Sequence, residues 1–213
     1  MKALWALFLA LSAGARAGVF VSHFYEATGY YCSDETGRKG RNRIQDLEVL
    51  DLLPDASCSD LRGLVLAGKD LRGKTFQASL FPHDLTGTKL DGANLGGAEL
   101  DEKGFDLAGL TGAYLDHVHA SYARFDGAVA VSAKLYSSDF HNATFRGTDL
   151  RNATFLGSDL RSAILDGADL RGTDLNTPWT DGASFAGAKF DAGTRLQFSR
   201  EVAERRGMIY VRD

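Results

Sequence analysis

The chain has 213 residues, a formal net charge of −4 and a hydrophobic content of 44%. That length allows one domain with a sizeable core and does not require two. Its 24 glycines and three prolines predict many tight turns rather than disorder. The modest acidic excess gives no general reason to bind nucleic acid, and no segment after residue 17 is long and apolar enough to predict a membrane span.

Residues 1–17 are predicted to form a secretory signal peptide. Lys2 gives a short basic region, Ala3 to Ala13 are an apolar stretch too short to cross a bilayer, and Ala15-Arg16-Ala17 matches a small-x-small cleavage site. A buried first helix is the alternative. Cleavage after Ala17 would leave 22 basic and 28 acidic residues, which shifts the net charge to −6. We therefore expect a bacterial protein that is periplasmic or secreted.

Residues 18–58 are predicted to form an N-terminal cap segment whose first part is rich in aromatic residues. Asn42 to Leu53 has the pattern of a helix, with Asn42 and Gln45 as a capping pair and Pro54 at its end. The basic run 37–43 could contact an anionic polymer or a lipid surface, or it could be a solvated loop. Both interpretations fit the sequence.

Cys32 and Cys58 are the two cysteines of the chain. In an oxidising compartment a disulfide between them would close a ring of about 27 residues and would be worth roughly 3–4 kcal/mol in the loop-entropy model. Two buried thiols are the alternative. Two cysteines without a histidine at ligand spacing are weak evidence for a metal site.

From residue 59 to residue 192 an apolar side chain recurs at every fifth position, a period that fits neither a helix nor a strand. In 23 consecutive units from Leu80 to Phe190 the central residue is Leu thirteen times and Phe seven times. Four earlier units run in a frame offset by one residue, so we expect a one-residue deletion between Phe76 and Leu80. Fixed short periods predict stacked coils, each of which buries its apolar face against its neighbours. The three exceptions to the central Leu or Phe are Ala120, Ala130 and Thr180.

The repeated pattern A-[DN]-L-x-x resembles the pentapeptide repeat family, as in Ala168-Asp169-Leu170-Arg171-Gly172 and Ala93-Asn94-Leu95-Gly96-Gly97. The resemblance implies an all-β solenoid, a right-handed quadrilateral β-helix in which each pentapeptide makes one side and four make a coil. The central Leu or Phe and the small residue two before it would point inward, and the other three would face water or turn the corner. Short helical caps are expected at both ends, because an open end exposes backbone edges and apolar side chains.

A coil of four pentapeptides sorts the inward residues into columns along the rod. The coil 116–135 has Ala120 and Ala130 where other coils have Leu or Phe, which predicts looser packing or a cavity there. The column that passes through the middle of this coil is mostly aromatic. Its members, the predicted core stack, are Leu85, Phe105, Phe125, Phe145, Leu165 and Phe185.

Residues 193–213 are predicted to form the C-terminal cap. Ser199 to Gly207 has the pattern of a short helix, with Ser199 as N-cap and Gly207 as C-cap. Met208 to Val211 could add a last strand.

The same columns place His119 between Glu99 and Asp139, with Asp159 next. Such a ladder could bind a divalent cation, but the repeat fills outward positions with polar residues in any case. We assign no metal ligand, cofactor or catalytic residue. The outward sides are shallow, and the sequence has no nucleophile elbow, Walker loop, His-Glu-x-x-His or Cys-x-x-Cys motif. The chain is therefore expected not to be an enzyme.

Asp-Leu-Arg triplets recur at outward positions. The period places Asp149 near Asp169 and Arg151 near Arg171, which predicts crosswise ion pairs between neighbouring coils. Surface pairs of this kind contribute little individually. The triplets stand at 60–62, 70–72, 149–151, 159–161 and 169–171.

Apolar residues at outward positions form the candidate partner patch. Tyr136 and Leu156 should stack on one side with Tyr114 nearby, while Val129 and Val131 flank the alanine-rich coil. Contiguous exposed apolar surface often marks a contact site.

Two classes of function remain. The first is an exported, non-enzymatic scaffold or protein-binding module whose partner is an unknown protein or envelope component, as a monomer or an end-to-end dimer. The second is implied by the resemblance, since some cytosolic pentapeptide repeat proteins mimic DNA and protect DNA gyrase from quinolones through a long, strongly acidic, dimeric rod. The predicted signal peptide, the modest acidity and the interleaved arginines favour the first class, so we expect no nucleic acid partner.

Overall fold

The structure is a computed structural model that describes residues 21–25, 29–33, 39–177 and 179–212. The predicted signal peptide and its cleavage site lie outside these residues. Within them, no helix is long and apolar enough to cross a membrane. The helices are Leu47–Leu52 and Arg200–Arg205, and Val21–Tyr25 pairs with Gly29–Ser33 as an antiparallel hairpin. Three parallel strand pairs are Asn42–Arg43 with Ser59–Asp60, Asp174–Leu175 with Arg195–Leu196, and Lys189–Phe190 with Ile209–Tyr210.

Between the two helices the chain winds in coils that are joined by single parallel β-bridges. Bridge partners are 20 residues apart over most of the chain, as in Glu99 with His119 and His119 with Asp139. Each inward residue starts a tight turn that closes on its carbonyl, as in the 2.9 Å hydrogen bond from the Ala93 N–H to Leu90. Four such units complete a coil. We number its sides by the inward residues of coil 116–135, which are Ala120 on the first side, Phe125 on the second, Ala130 on the third and Leu135 on the fourth.

The residue two before the inward residue is buried in most units, which explains why Ala, Ser and Thr usually fill this position. Where the residue is Ser or Thr, its hydroxyl donates to a carbonyl of the preceding coil. Thr88 Oγ1 lies 3.0 Å from the Leu66 oxygen, and Thr148 Oγ1 lies 2.6 Å from the Phe125 oxygen. The buried hydroxyl is thereby satisfied, and neighbouring coils gain a contact in addition to the bridges.

All six residues of the predicted core stack are buried. The rings of Phe105, Phe125 and Phe145 lie nearly parallel, with centroids 5.0 Å and 4.8 Å apart along the column. Offset parallel rings at this distance add to the free energy of simple burial. The middle of the rod is therefore held by an aromatic column.

The alanine-rich coil is closed by its neighbour. Ala120 and Ala130 are 0% and 3% exposed. Phe140 follows Ala120 in the column of the first side, and its ring meets the ring of Phe125 edge-on at 6.0 Å. The large Phe140 side chain of the next coil therefore packs over the space that the small Ala120 side chain leaves.

The change of frame falls one side later than the sequence predicts. Phe81 is fully buried, whereas the half-buried Leu80 takes the outward position that bridges to Glu99. The missing residue thus lies between Phe81 and Leu85, and the expected deletion between Phe76 and Leu80 is wrong. Two apolar residues are adjacent here, so the period alone could not choose between them. Bridges across the shortened corner join residues 19 apart.

The N-terminal helix begins later than predicted. Asn42–Arg43 is a strand, because its backbone pairs with Ser59–Asp60 and the Asn42 N–H donates to the Cys58 carbonyl at 2.7 Å. The helix Leu47–Leu52 has Asp46 as its N-cap, whose Oδ1 accepts the Glu48 N–H at 2.8 Å. The predicted capping pair of Asn42 and Gln45 is therefore wrong.

A lysine of the repeat caps the end of this helix. Lys74 Nζ lies 3.1, 3.1 and 2.7 Å from the carbonyl oxygens of Leu50, Asp51 and Leu53. The last carbonyls of a helix have no partner within the helix, and a cation there also opposes the helix dipole. Together with the fully buried Leu50, the lysine holds the helix against the first coils.

The C-terminal helix follows the last side of the repeat. Its N-cap is Ser199, whose hydroxyl accepts the Val202 N–H at 3.4 Å, and the chain reverses after it at Gly207 with φ of 81°. Ala203 is buried against the core. The strand Ile209–Tyr210 then returns to pair with the third side.

Cys32 and Cys58 form a disulfide with their Cα atoms 5.7 Å apart. The bond fixes the second hairpin strand to the corner between the fourth and first sides. Together with Ala78 the two cysteines form a small buried cluster apart from the main core.

Phe125→Ala should lower the free energy of unfolding by about 3–5 kcal/mol, because it leaves a cavity inside the ring column. Phe125→Leu is the matched control, since leucine fills the same column at positions 85 and 165, and should cost less than about 1.5 kcal/mol. Urea denaturation followed by circular dichroism measures both. Equal losses for the two variants would contradict the aromatic column.

Candidate functional site

The candidate partner patch lies on two adjacent sides near the middle of the rod. Tyr114, Tyr136 and Leu156 belong to units of the fourth side, and Val129 and Val131 belong to one unit of the third side. Three of the five are well exposed: Tyr114 at 46%, Val129 at 45% and Leu156 at 49%. Val131 and Tyr136 are half-buried.

Tyr136 is the polar member at the centre of this patch. The next residue along, Ser137, donates its N–H to the Leu156 carbonyl at 3.0 Å, which sets Leu156 directly above Tyr136 in the next coil. The tyrosine ring meets the His117 ring edge-on at 6.5 Å. Burial and the nearby carboxylate of Asp116 raise the pKa of the Tyr136 hydroxyl. At neutral pH the hydroxyl therefore carries its proton and can act as a hydrogen-bond donor.

The Asp-Leu-Arg triplets form ion pairs within each triplet. In 149–151, Arg151 Nε lies 2.8 Å from one oxygen of Asp149 and Nη2 lies 2.7 Å from the other, and the other four triplets repeat this bidentate arrangement. The expected crosswise pairing is wrong. Asp and Arg flank the inward Leu and project outward on the same side, and the Arg N–H also binds the Asp oxygen, so the nearest partner is two residues away.

These pairs shift the titration of the aspartates. The hydrogen bond from Arg151 holds the pKa of Asp149 below its usual value, although burial and the carboxylate of Asp169 oppose the effect. Arg171 likewise lowers the pKa of Asp169. Each triplet therefore presents a closed ion pair rather than a bare carboxylate, and each pair contributes little to stability because it is exposed.

The ladder around His119 brings carboxylates together but also gives them other partners. His119 bridges to Glu99 below and Asp139 above. Glu99 forms an ion pair with Arg41 at 2.7 Å, and Asp139 accepts the Ser121 hydroxyl at 3.0 Å. Across the residues that the structure describes, no group of three or more His, Cys, Asp or Glu side chains could hold a metal ion.

The basic run and the repeat interruption are described only in part. Residues 34–38 and Pro178 lie outside the described residues. Arg41 lies against the repeat rather than in a solvated loop, with Nε 3.1 Å from the Ala78 carbonyl. In the interruption 177–180, Thr177 is buried and Trp179 is 46% exposed on the first side.

Leu107 and Tyr122 are among the exposed large hydrophobic residues that were not predicted from the sequence, together with Leu52, Val65 and Ile209. Leu107 is 67% and Tyr122 is 59% exposed, and both are at corners with positive φ, 59° and 61°. Gly or Asn is the usual residue in that conformation, because a Cβ is strained there. In the sequence, a bulky side chain two residues after an inward residue would have indicated an exposed apolar group at a corner.

Coupling between Asp70 and Arg72 should depend on pH. The Arg72 hydrogen bonds lower the pKa of Asp70 to about 2, so the aspartate contributes stability above about pH 4 that is lost as the pH falls through about 2. A double-mutant cycle with Asp70→Asn and Arg72→Met should give a smaller coupling at pH 2, where about half of the aspartate is protonated, than at pH 7. Thermal melts of the four proteins measure it. A coupling that is the same at both values would contradict the ion pair.

The repeated coils of this chain are similar to repeats in known proteins. A family model described as pentapeptide repeats matches residues 108–147 and 138–176, in eight copies. Among curated proteins, none matches the chain significantly.

Several solved structures are similar to the chain. A pentapeptide repeat protein from the cyanobacterium Cyanothece 51142 is 21% identical, with 71% of this chain and 97% of that chain covered and a TM-score of 0.46. A pentapeptide repeat protein from the thylakoid lumen of Arabidopsis thaliana is 24% identical, with 50% and 72% covered and a TM-score of 0.45. QnrB1, a plasmid-mediated fluoroquinolone resistance protein, is 21% identical, with 67% and 70% covered and a TM-score of 0.41. The eight matched repeats fall in the coils described above, so residues 108–176 match the pentapeptide repeat family.

Proposed function

We propose that the protein is an exported, non-enzymatic binding module, and that a partner protein docks on the patch of Tyr114, Val129, Val131, Tyr136 and Leu156. The observation that carries this proposal is the exposure of Tyr114 and Leu156 on one side of the rod. Outward positions of this repeat are mostly polar, and a coil gains nothing in its own folding from an exposed apolar side chain. Such side chains close together favour a contact with another molecule.

The composition of the patch suits a protein partner. Tyr136 offers a hydroxyl donor, and tyrosine is enriched in protein interfaces because one ring combines apolar area with a polar tip. Val129 and Leu156 add apolar area at about half exposure. The rigid repeat beneath limits the entropy lost when a partner binds.

The disulfide between Cys32 and Cys58 supports the export part of the proposal. Disulfides persist in oxidising compartments and are rare in the cytosol. The predicted signal peptide at 1–17 points the same way. Protein recovered from the envelope or the medium should begin at Gly18 in N-terminal sequencing, and cytosolic protein that begins at Met1 would refute export.

The charge pattern favours this function over DNA mimicry. A DNA mimic presents rows of bare carboxylates to its partner, as a phosphate backbone does. In this chain Asp60, Asp70, Asp149, Asp159 and Asp169 are each closed by an arginine of the same triplet. Their surface is therefore zwitterionic.

We also propose that the two helices close the ends of a right-handed coil. Leu50 of the N-terminal helix and Ala203 of the C-terminal helix belong to the same buried cluster as the repeat. Each helix thus covers apolar side chains that a further coil would otherwise cover.

Photo-crosslinking tests the docking surface. A benzoylphenylalanine in place of Leu156 should form an adduct with the partner in the native envelope fraction, and one in place of Leu107 should not. Leu107 is the matched control because it is a leucine on a different corner and is more exposed than Leu156, at 67% against 49%.

Substitutions elsewhere in the patch then test whether the crosslinked partner contacts the patch. Tyr114→Ser should reduce the adduct at position 156 at least tenfold, which is the loss expected when a central interface aromatic is removed. Leu107→Ser should leave the adduct unchanged. Equal adducts at positions 156 and 107, or an adduct at 156 that is insensitive to Tyr114→Ser, would refute the docking surface.

A further inference from the structure

A cleft of about 530 Å³ opens at the C-terminal end of the rod, away from the partner patch. It lies where the third and fourth sides meet, between the last strand pairs and the start of the C-terminal helix. Its volume is within the range of small-molecule sites, about 300–1,000 Å³. The walls that matter here are Phe190, Leu196, Phe198, Tyr210, Arg195 and Arg200.

The cleft exists because the repeat ends there with a longer corner. The inward residues Phe190 and Leu196 are six residues apart instead of five, and Leu196 pairs with Leu175 at a separation of 21. After Phe198 the chain leaves the coil for the helix, so no further unit covers this corner. Phe198 is consequently only partly buried and lines the opening, with the Arg206 guanidinium over its ring at 4.5 Å.

Aromatic side chains form one part of the cleft wall, beside the polar side chains of Asn176 and Thr194. Phe190 is 3% exposed, and its ring meets the ring of Tyr210 edge-on at 5.4 Å. Leu196 and Phe198 pack on the core from the other wall. Aromatic walls at these spacings accept a flat ring by offset or edge-on contact.

Two arginines stand at the rim. Arg200 lies over the Tyr210 ring at 3.6 Å and pairs through Nε with Glu204 at 2.8 Å. Arg195 pairs through Nη1 with Asp174 at 3.2 Å, and its side chain is 70% exposed. A guanidinium has five N–H donors, so each ion pair leaves donors that can bind a second carboxylate.

Among the described residues that line the cleft, Asp191 is the one carboxylate, and its oxygens already have donors. Asp191 accepts the N–H groups of Gly172 in the preceding coil and of Gly193, both at 3.0 Å, and the Thr194 hydroxyl at 3.0 Å. These donors stabilise its negative charge without removing it, so the preference of the rim for an anion depends on the remaining guanidinium donors of the two arginines.

We propose that this cleft binds a small aryl carboxylate, with the ring against Phe198 and Tyr210 and the carboxylate at Arg195 and Arg200. Aromatic walls alone would favour a neutral ring, and arginines alone would favour any anion. The combination selects a molecule that has both groups a few bonds apart. This site is independent of the protein-binding surface proposed above.

Isothermal titration calorimetry with three probes tests the ligand class. Phenylbutyrate should bind with one-to-one stoichiometry, whereas phenylbutanol, which lacks the charge, and acetate, which lacks the ring, should each bind at least tenfold more weakly. Equal affinity for phenylbutyrate and phenylbutanol would overturn the role of the arginines. No heat with phenylbutyrate at millimolar concentration would overturn the site.

Variants tie the binding to this cleft. The double variant Arg195→Met/Arg200→Met should weaken phenylbutyrate at least tenfold, and Ala192→Trp should abolish binding by filling the cleft. Arg161→Met is the matched control, because Arg161 is an exposed arginine paired with Asp159 on the first side, and it should bind like the parent. Melting curves confirm that each variant is folded. Unchanged binding in Ala192→Trp would place the ligand elsewhere and refute the proposal.

Discussion

One large side chain must enter the core from every five residues, and the rest of the structure depends on that constraint. The interior of a coil has room for four such groups, so each unit contributes one, and the small residue two before it lets the corner close. Where that residue is Thr148, its hydroxyl must find a partner inside, and the Phe125 carbonyl of the preceding coil supplies it at 2.6 Å. The same constraint therefore determines the size of the inward side chains, the geometry of the corners and the contacts between coils. Only the outward positions can accept many different residues.

The sequence predicts the inward positions well, because their period has no competing explanation. The parallel rings of Phe105, Phe125 and Phe145 follow from a spacing of 20 residues alone. The period fails where two apolar residues are adjacent. Leu80 and Phe81 both fit, and the choice depends on tertiary packing, which buries Phe81 completely and leaves Leu80 on the outside. The predicted start of the N-terminal helix is wrong for a similar reason, because pairing with the strand Ser59–Asp60 overrides the local helical pattern after Asn42.

The candidate surface was harder to derive, because it depends on how side chains choose among nearby partners. Column arithmetic gives the neighbours of Asp149 along the rod, yet its closest cation is two residues away, and the turn that binds the Arg151 N–H also aims the guanidinium. Exposure of Tyr114 and Leu156 follows from their outward positions, but the half-burial of Tyr136 does not. The His117 ring meets the Tyr136 ring from the neighbouring coil, a contact that exists only once the coils are stacked.

A regular five-residue unit makes flat sides, so a concave site requires a departure from five. The chain departs in both directions. Four residues separate the inward Phe81 from the inward Leu85, and the shortened corner is tight enough to bury Pro82. Six residues separate Phe190 from Leu196, and the lengthened corner opens the cleft between the last strand pairs. The spacing of inward residues therefore encodes local shape as well as fold: five gives a flat side, and six, at an end without a covering coil, gives a cleft.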